Sequence, residues 1–260
     1  MDLGDDNMAQ SELIDRTGES KLNNDGDKMT IIVYRNAKDI DVLFDYTGNI
    51  KEHTDYHNFN EGKLRDWDKV RVVFNVGKIK GKMGKEDKKI YKTWKNMLNR
   101  CYNDDYKRKH PTYTDCYVCE EWLYFDNFKQ WYCENYYEIE GSIMDLDKDI
   151  LIKGNKVYSP ETCIFVPHEI NGLFLKNDNK RGNLPIGVSL HKSSGLYGAR
   201  GKVYGKGYIS AGYYKTIEEA FAAYKQQKES NIKEVADLYK DKIPQKLYEA
   251  MYSYEVEITD

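Results

Sequence analysis

Three groups of residues have the types and spacing that chemistry needs. Cys116 and Cys119 form a C-x-x-C pair, with Cys101 15 residues before it and Cys133 14 residues after it. Four thiolates so spaced can close a tetrahedral zinc site. The plainer alternative is small core residues, because Cys101 recurs on an apolar helical face and Cys119 leads into an aromatic run. In the stretch LDKDI, Asp147 and Asp149 offer hard oxygen ligands for a divalent cation; the competing reading is a pair of solvated charges at a hairpin edge.

The third group is basic. The chain carries 40 Lys and Arg against 43 Asp and Glu, a net charge of -3, yet no acid lies between Asn179 and Thr216. Lys192, Arg200, Lys202 and Lys206 fall in that stretch, so a local basic surface survives the acidic total. Strand alternation puts Tyr197, Ala199, Gly201 and Val203 on one face and Gly198, Arg200, Lys202 and Tyr204 on the other. Arginine can pair bidentately with guanine, whereas lysine mostly holds phosphate. Arg200 is therefore the expected base reader and Lys202, Lys206 and Lys192 the expected backbone anchors on double-stranded DNA, with His191, Ser189 and Ser210 as further contacts. The alternative is that these lysines are solvated turn residues.

These groups need elements to hold them. Gly187 to His191, Tyr197 to Tyr204 and Tyr208 to Tyr214 read as three antiparallel strands, followed by a helix capped by Thr216 with Glu219 completing a capping box. Ile217, Ala220, Phe221 and Tyr224 would bury one face of that helix against the sheet. Leu238, Ile243, Leu247, Met251 and Tyr254 around Pro244 suggest one or two further helices broken at the proline. Upstream, Ile90, Trp94, Met97, Leu98 and Cys101 recur at helical spacing, as do Trp122, Phe125, Phe128, Trp131 and Tyr132. Near the start, Thr30 to Tyr34 and the alternation of Ile40, Val42 and Phe44 with aspartates read as strands joined by turns at Asn36 and at Thr47 to Asn49. The expected class is α+β, in five parts: a flexible leader over 1–28, a small β module over 29–76, a lysine-rich exposed linker over 77–89, a middle domain over 90–180 and a C-terminal domain with a helical tail over 181–260.

Read in order, YKTWKNMLNRCYN, YTDCYVCEEW with its aromatic helix, LDKDI and YSPETCIFVPHEIN resemble the phage and intron-encoded HNH (homing) endonucleases over roughly residues 90 to 176. The resemblance implies a ββα-metal fold in the middle domain, with strands supplied by a hairpin from Asp147 to Val166, and one magnesium or manganese ion held against a scissile phosphate. It assigns the metal to Asp147 and Asn171 and puts Lys148 where the family has its histidine base and Thr162 where it has an asparagine. An ammonium is a poor base, and a lone hydroxyl cannot replace an amide. Asp149 as a second carboxylate and His168 as a displaced base would give a rearranged site. The segment from Pro185 to about Tyr239, with Gly187-Val188, Tyr197, Ala199, Gly205-Lys206, Gly212 and Glu218-Glu219-Ala220, is similar to the Apetala-type (ethylene-response-factor-like) DNA-binding domain. The implied functions are a DNA endonuclease and a cleavage-dead DNA-binding regulator. A third reading makes the β module over Met29 to Trp67, whose strand is acidic, an adaptor for a protein partner.

Several classes are excluded by pattern. The longest apolar runs, Met29 to Tyr34 and Cys163 to Pro167, are too short to span a bilayer, and the acidic N-terminus does not read as a signal peptide. Five cysteines without dense spacing argue for reduced thiols rather than a disulfide framework. The expected setting is cytoplasmic, with no membrane partner.

Overall fold

Aliphatic residues at alternate positions between Met29 and Phe44 have to bury one strand face, and they do. The computed structural model describes residues 14–175 and 183–260, which divide into two compact units. The first holds the described residues up to Val72 together with Lys78–Lys85; the second holds Val73–Gly77 and the described residues from Glu86 to Asp260.

In the first unit, β1 (Ser20–Leu22), β2 (Lys28–Asn36), β3 (Asp39–Phe44) and β4 (Ile50–Thr54) form an antiparallel sheet in sequence order. Met29, Ile31, Ile40, Val42 and Phe44 point inward and are covered by Phe59 and Leu64. Phe59 lies on the one-and-a-half-turn helix α1 (Tyr56–Asn60), which Asp55 caps by accepting from Asn58 N. The β1 strand corrects the expectation of an unstructured leader: Ser20–Leu22 pairs with Lys28–Thr30 although none of its side chains is buried, because ladder hydrogen bonds need no buried apolar side chain. The rest of that leader, residues 1–13, lies outside the described residues. Strands β5 (Arg71–Val73) and β6 (Gly77–Ile79) pair with each other. The lysine-rich segment is therefore not wholly an exposed linker: Gly77 and Ile79 are buried, and a Cβ on Gly77 would sit 2.4 Å from the Leu98 side chain.

In the second unit, α2 (Asp87–Tyr102) and α3 (Asp104–Lys109) precede β7 (Tyr117–Val118), and α4 (Phe125–Asn135) follows. Ile90, Trp94, Met97, Leu98 and Cys101 are buried along α2, and Phe125, Phe128, Trp131 and Tyr132 along α4. Trp122 is buried in a short 3-10 turn ahead of α4, where its carbonyl accepts from Trp94 Nε1 at 2.6 Å. Next come β8 (Met144–Asp147), β9 (Val157–Tyr158), β10 (Ile164–Pro167) and the one-turn helix α5 (His168–Asn171). Strands β8 and β10 are antiparallel, with Asp147 opposite Ile164 and Met144 opposite Pro167; β9 pairs in parallel with β7. The first strand thus ends at Asp147 rather than beginning there. The chain then forms β11 (Val188–His191), β12 (Leu196–Val203), β13 (Gly207–Tyr214), α6 (Ile217–Tyr239) and α7 (Gln245–Tyr252). Thr216 caps α6 with Glu219 in a reciprocal capping box, and Pro244 starts α7. The architecture is mixed α and β with several small sheets. Among the described residues, no helix is long and apolar enough to cross a membrane.

Candidate functional site

The three-stranded sheet has one covered face and one open face. Val188, Ala199, Tyr197, Ala211 and Tyr214 pack against Ala220, Phe221 and Tyr224 of α6. Gly201 also faces α6, where a Cβ would meet Gln227 Oε1 at 2.9 Å. The register sets Gly198 opposite Ser189 and Tyr213, Arg200 opposite Ser210, and Lys202 opposite Tyr208, so these residues share the outward face. Ser189, His191, Arg200, Lys202, Tyr208, Ser210 and Tyr213 are exposed.

Geometry organises this face. The Arg200 guanidinium lies 5.0 Å from the Tyr208 ring centroid. Tyr213 lies over Gly198, where a Cβ would come within 3.2 Å of its ring, and it meets His191 edge-on at 5.4 Å between centroids. His191 Nδ1 is 2.8 Å from Ser194 Oγ in the following turn. Ser210 Oγ accepts from Gly212 N at 3.2 Å, beside the irregularity at Ala199/Arg200, so this serine serves the bulge. Lys192 and Lys206 are exposed on the turns at opposite ends of β12. Tyr204 departs from the expected Arg200 face. The strand stops at Val203, and Tyr204 N instead donates to Asn231 Oδ1 of α6 at 2.9 Å.

The carboxylates of LDKDI are placed differently from expectation. Asp147 Oδ1 accepts from Asp149 N at 2.8 Å and Ile150 N at 2.7 Å, the work of an Asx turn closing the strand. Burial pushes its carboxyl above the ordinary range even though those two backbone N–H groups favour the charge. Lys148 is 5 % exposed; its Nζ donates to Asp149 Oδ2 at 2.7 Å and Asn155 O at 2.6 Å. Burial opposes the Lys148 charge, but the hydrogen bond and charge of Asp149 outweigh it and hold the ammonium above the usual lysine range. Lys148 is thus a charged structural tie, the wrong state for a base. Thr162 Oγ1 donates to Val157 O at 2.8 Å and accepts from Ser159 N at 3.2 Å, fastening the turn before β10. Asp147 Oδ1, Lys148 Nζ, Asp149 Oδ2 and Thr162 Oγ1 are each engaged within this loop.

His168 and Asn171 converge on a residue that sequence reasoning missed. Asp145 Oδ2 lies 2.7 Å from His168 Nδ1 and accepts from Asn171 Nδ2 at 3.1 Å. Asp145 stands opposite Val166, one strand residue short of the Pro167 that leads into α5, so the first turn of α5 folds back over it. The cluster is open to solvent, with the His168 side chain 69 % and that of Asp145 31 % exposed. The signal available in the sequence was alternation: Asp145 and Asp147 share one face of β8. A carboxylate accepting from Nδ1–H directs the other imidazole nitrogen, Nε2, outward as an acceptor. The pairing of Asn171 with Asp145 corrects the assignment of Asn171 to a set with Asp147.

The cysteines do not come together as a zinc site. Cys101 and Cys116 are buried, Cys119 is partly buried and Cys133 is exposed. Burial pushes the Cys101 thiol up to about 12. Among the described residues, the only grouping of three or more His, Cys, Asp or Glu with ligand atoms in mutual reach is Asp39, Asp41 and His53. There the Arg35 guanidinium already holds Asp41 through two bonds of 2.9 and 2.7 Å and Asp39 at 3.1 Å. That cation already pairs with both carboxylates. No family model matches the chain, and neither a curated protein nor a solved structure does.

Proposed function

We propose that the chain binds double-stranded DNA through the open face of β11, β12 and β13. The observation that carries this reading is the outward pairing of Arg200 and Lys202, flanked by the exposed rings of Tyr208 and Tyr213, on a sheet whose whole segment from Asn183 to Lys215 contains no acid. A sheet backed by a helix on one side can lie in a groove with the other. Its cations then replace condensed counterions on phosphates. Arg200 is the base reader, and Lys192, Lys202 and Lys206 anchor the backbone. Fluorescence anisotropy with random-sequence duplex over a salt series tests it: steep salt dependence, lessened in Lys202→Ala, is expected. Salt-independent or absent binding would refute it.

A second reading adds cleavage, as the HNH resemblance implies, and the 2.7 Å contact of His168 Nδ1 with Asp145 Oδ2 favours it. Asp145 and the Asn171 amide oxygen are the donors that suit a hard divalent ion such as magnesium or manganese. When bound, such an ion supplies Lewis-acid stabilisation of a phosphoryl oxygen. His168 Nε2 takes the proton of the attacking water, and Asp145 holds the ring and steadies its charge. Supercoiled plasmid incubated with either metal should be nicked by the wild-type chain and not by His168→Ala. Nicking that survives His168→Ala but is lost in Asp147→Asn would return the chemistry to LDKDI.

A further inference from the structure

Helix α6 belongs to two cores at once. Ala220, Phe221 and Tyr224 in its first turns pack beneath the three-stranded sheet. Ile232, Val235 and Ala236 in its last turns pack with Ile164, Val166 and Ile170 of β10 and α5. A line of hydrogen bonds runs beside it. Tyr204, in the turn after β12, donates its backbone N–H to Asn231 and its hydroxyl lies 3.1 Å from that of Tyr239. Tyr239 in turn donates to Glu169 Oε1 at 2.8 Å. The Ser142 hydroxyl donates to the same carboxylate oxygen. Burial opposes the Glu169 charge, but the hydrogen bonds from Ser142 and Tyr239 hold its carboxyl below the ordinary range. Glu169 is the chain neighbour of His168, so three side chains, Tyr204, Tyr239 and Glu169, link the sheet's turn to α5. Cations flank this bridge: Lys206 is on the turn, and Lys242 Nζ lies 5.9 Å from the Tyr239 ring centroid.

We infer that Tyr239 is a positioning residue, which fixes where on a bound duplex the Asp145–His168–Asn171 centre falls relative to the bases under the sheet. The inference rests on the reading that the sheet binds DNA. The hydroxyl of Tyr239 holds the turn after β12 and the helix α5 together, with Lys206 on that turn and Lys242 beside the Tyr239 ring. Because the bridge is only three side chains long, both contacts lie within a single duplex turn of about 34–36 Å. Tyr239→Phe removes both hydrogen bonds and keeps the ring, its packing and its contact with Lys242.

The test is phosphate-ethylation interference on a duplex selected from a random pool by the wild-type chain. The wild-type map should be one unbroken run within about ten base pairs. Lys242→Ala should erase phosphates at one end of it. Tyr239→Phe should bind within about threefold of wild type, keep the sheet and Lys242 phosphates of the run and blur the phosphates that His168→Ala erases. Tyr204→Phe breaks the same bridge from outside α6 and should give the same map, with thermal melts confirming the fold of each variant. Two runs separated by more than a duplex turn, or an unchanged map in both tyrosine variants, would overturn the inference and leave DNA binding standing. Failure of the wild-type chain to select any duplex would overturn DNA binding, and the inference with it.

Discussion

Asp145 and Asp147 lie two residues apart on one strand face and have opposite tasks. Asp145 reaches outward to His168 at 2.7 Å, whereas Asp147 turns inward to cap its own chain through Asp149 N and Ile150 N. The division follows from β10, which ends beside Asp145 and lets α5 fold over it, while beyond Asp147 the chain leaves the ladder.

Substitutions at Asp147 should report on stability. A carboxyl whose folded pKa is raised above 3.8 binds its proton more tightly in the folded chain. Stability is then lost as pH rises from that value through the folded pKa, and the penalty persists at neutral pH. Asp147→Asn keeps the acceptor without the charge, so it should equal or exceed wild-type stability at pH 7. Asp147→Ala loses both turn bonds and should cost about 1–2 kcal/mol. Urea melts of the three proteins decide it, and an Asn variant as unstable as the Ala variant would contradict the assignment.

Lys228 gives a second pH signature. Burial, reinforced by the charge of Lys202, pushes its ammonium down to about 8 from 10.5. Between those values the unfolded chain binds the proton and the folded chain does not, so stability rises with pH there, and below 8 the full penalty applies. Lys228→Met should raise Tm by about 2–4 °C at pH 7, with the gain vanishing above pH 10.5. A gain independent of pH would mean that packing rather than charge is responsible.

On DNA, Arg200 and Lys202 should separate by kind of effect. Lys202→Ala should lower the slope of log affinity against log salt by about one and weaken all duplexes alike. Arg200→Ala should cost about 1–3 kcal/mol on a preferred duplex and relax preference at one base pair. Selection from random pools followed by salt titration reads both quantities. Equal losses on every sequence for Arg200→Ala would demote it to a phosphate contact.

Two glycines of the C-terminal sheet offer a controlled comparison. Gly187 has φ +76° and a Cβ there would lie 2.1 Å from the Tyr224 ring; Gly195 has φ +70° with nothing near. Gly195→Ala should cost about 1–2 kcal/mol from backbone strain alone. Gly187→Ala adds a collision with the helix and should cost about 2–4 kcal/mol, with DNA affinity falling in step as the sheet lifts from α6. Denaturant midpoints compare the two directly.

What could be read from residue order follows local physics. The strands of the C-terminal sheet fall within one residue of expectation, and Arg200 and Lys202 face outward together, because a period of two and the glycine turns are written in adjacent residues. The Thr216 and Glu219 cap is legible for the same reason. The partnership of Asp145 with His168 and Asn171 is not, since it depends on a strand pairing between positions 145 and 166. Nor is the loop role of Lys148, whose acceptor is a backbone carbonyl seven residues away. Ser20–Leu22 escapes notice because its pairing with β2 is made by backbone groups that every residue carries.

The double membership of α6 bears on how such a chain can be rebuilt or inherited. A crossover between the hairpin and the sheet would leave Ile232, Val235 and Ala236 facing a foreign surface, so the sheet is not a cassette that travels alone. Exchange of recognition specificity is confined to the outward side chains of β11, β12 and β13, or must carry the hairpin along with the helix.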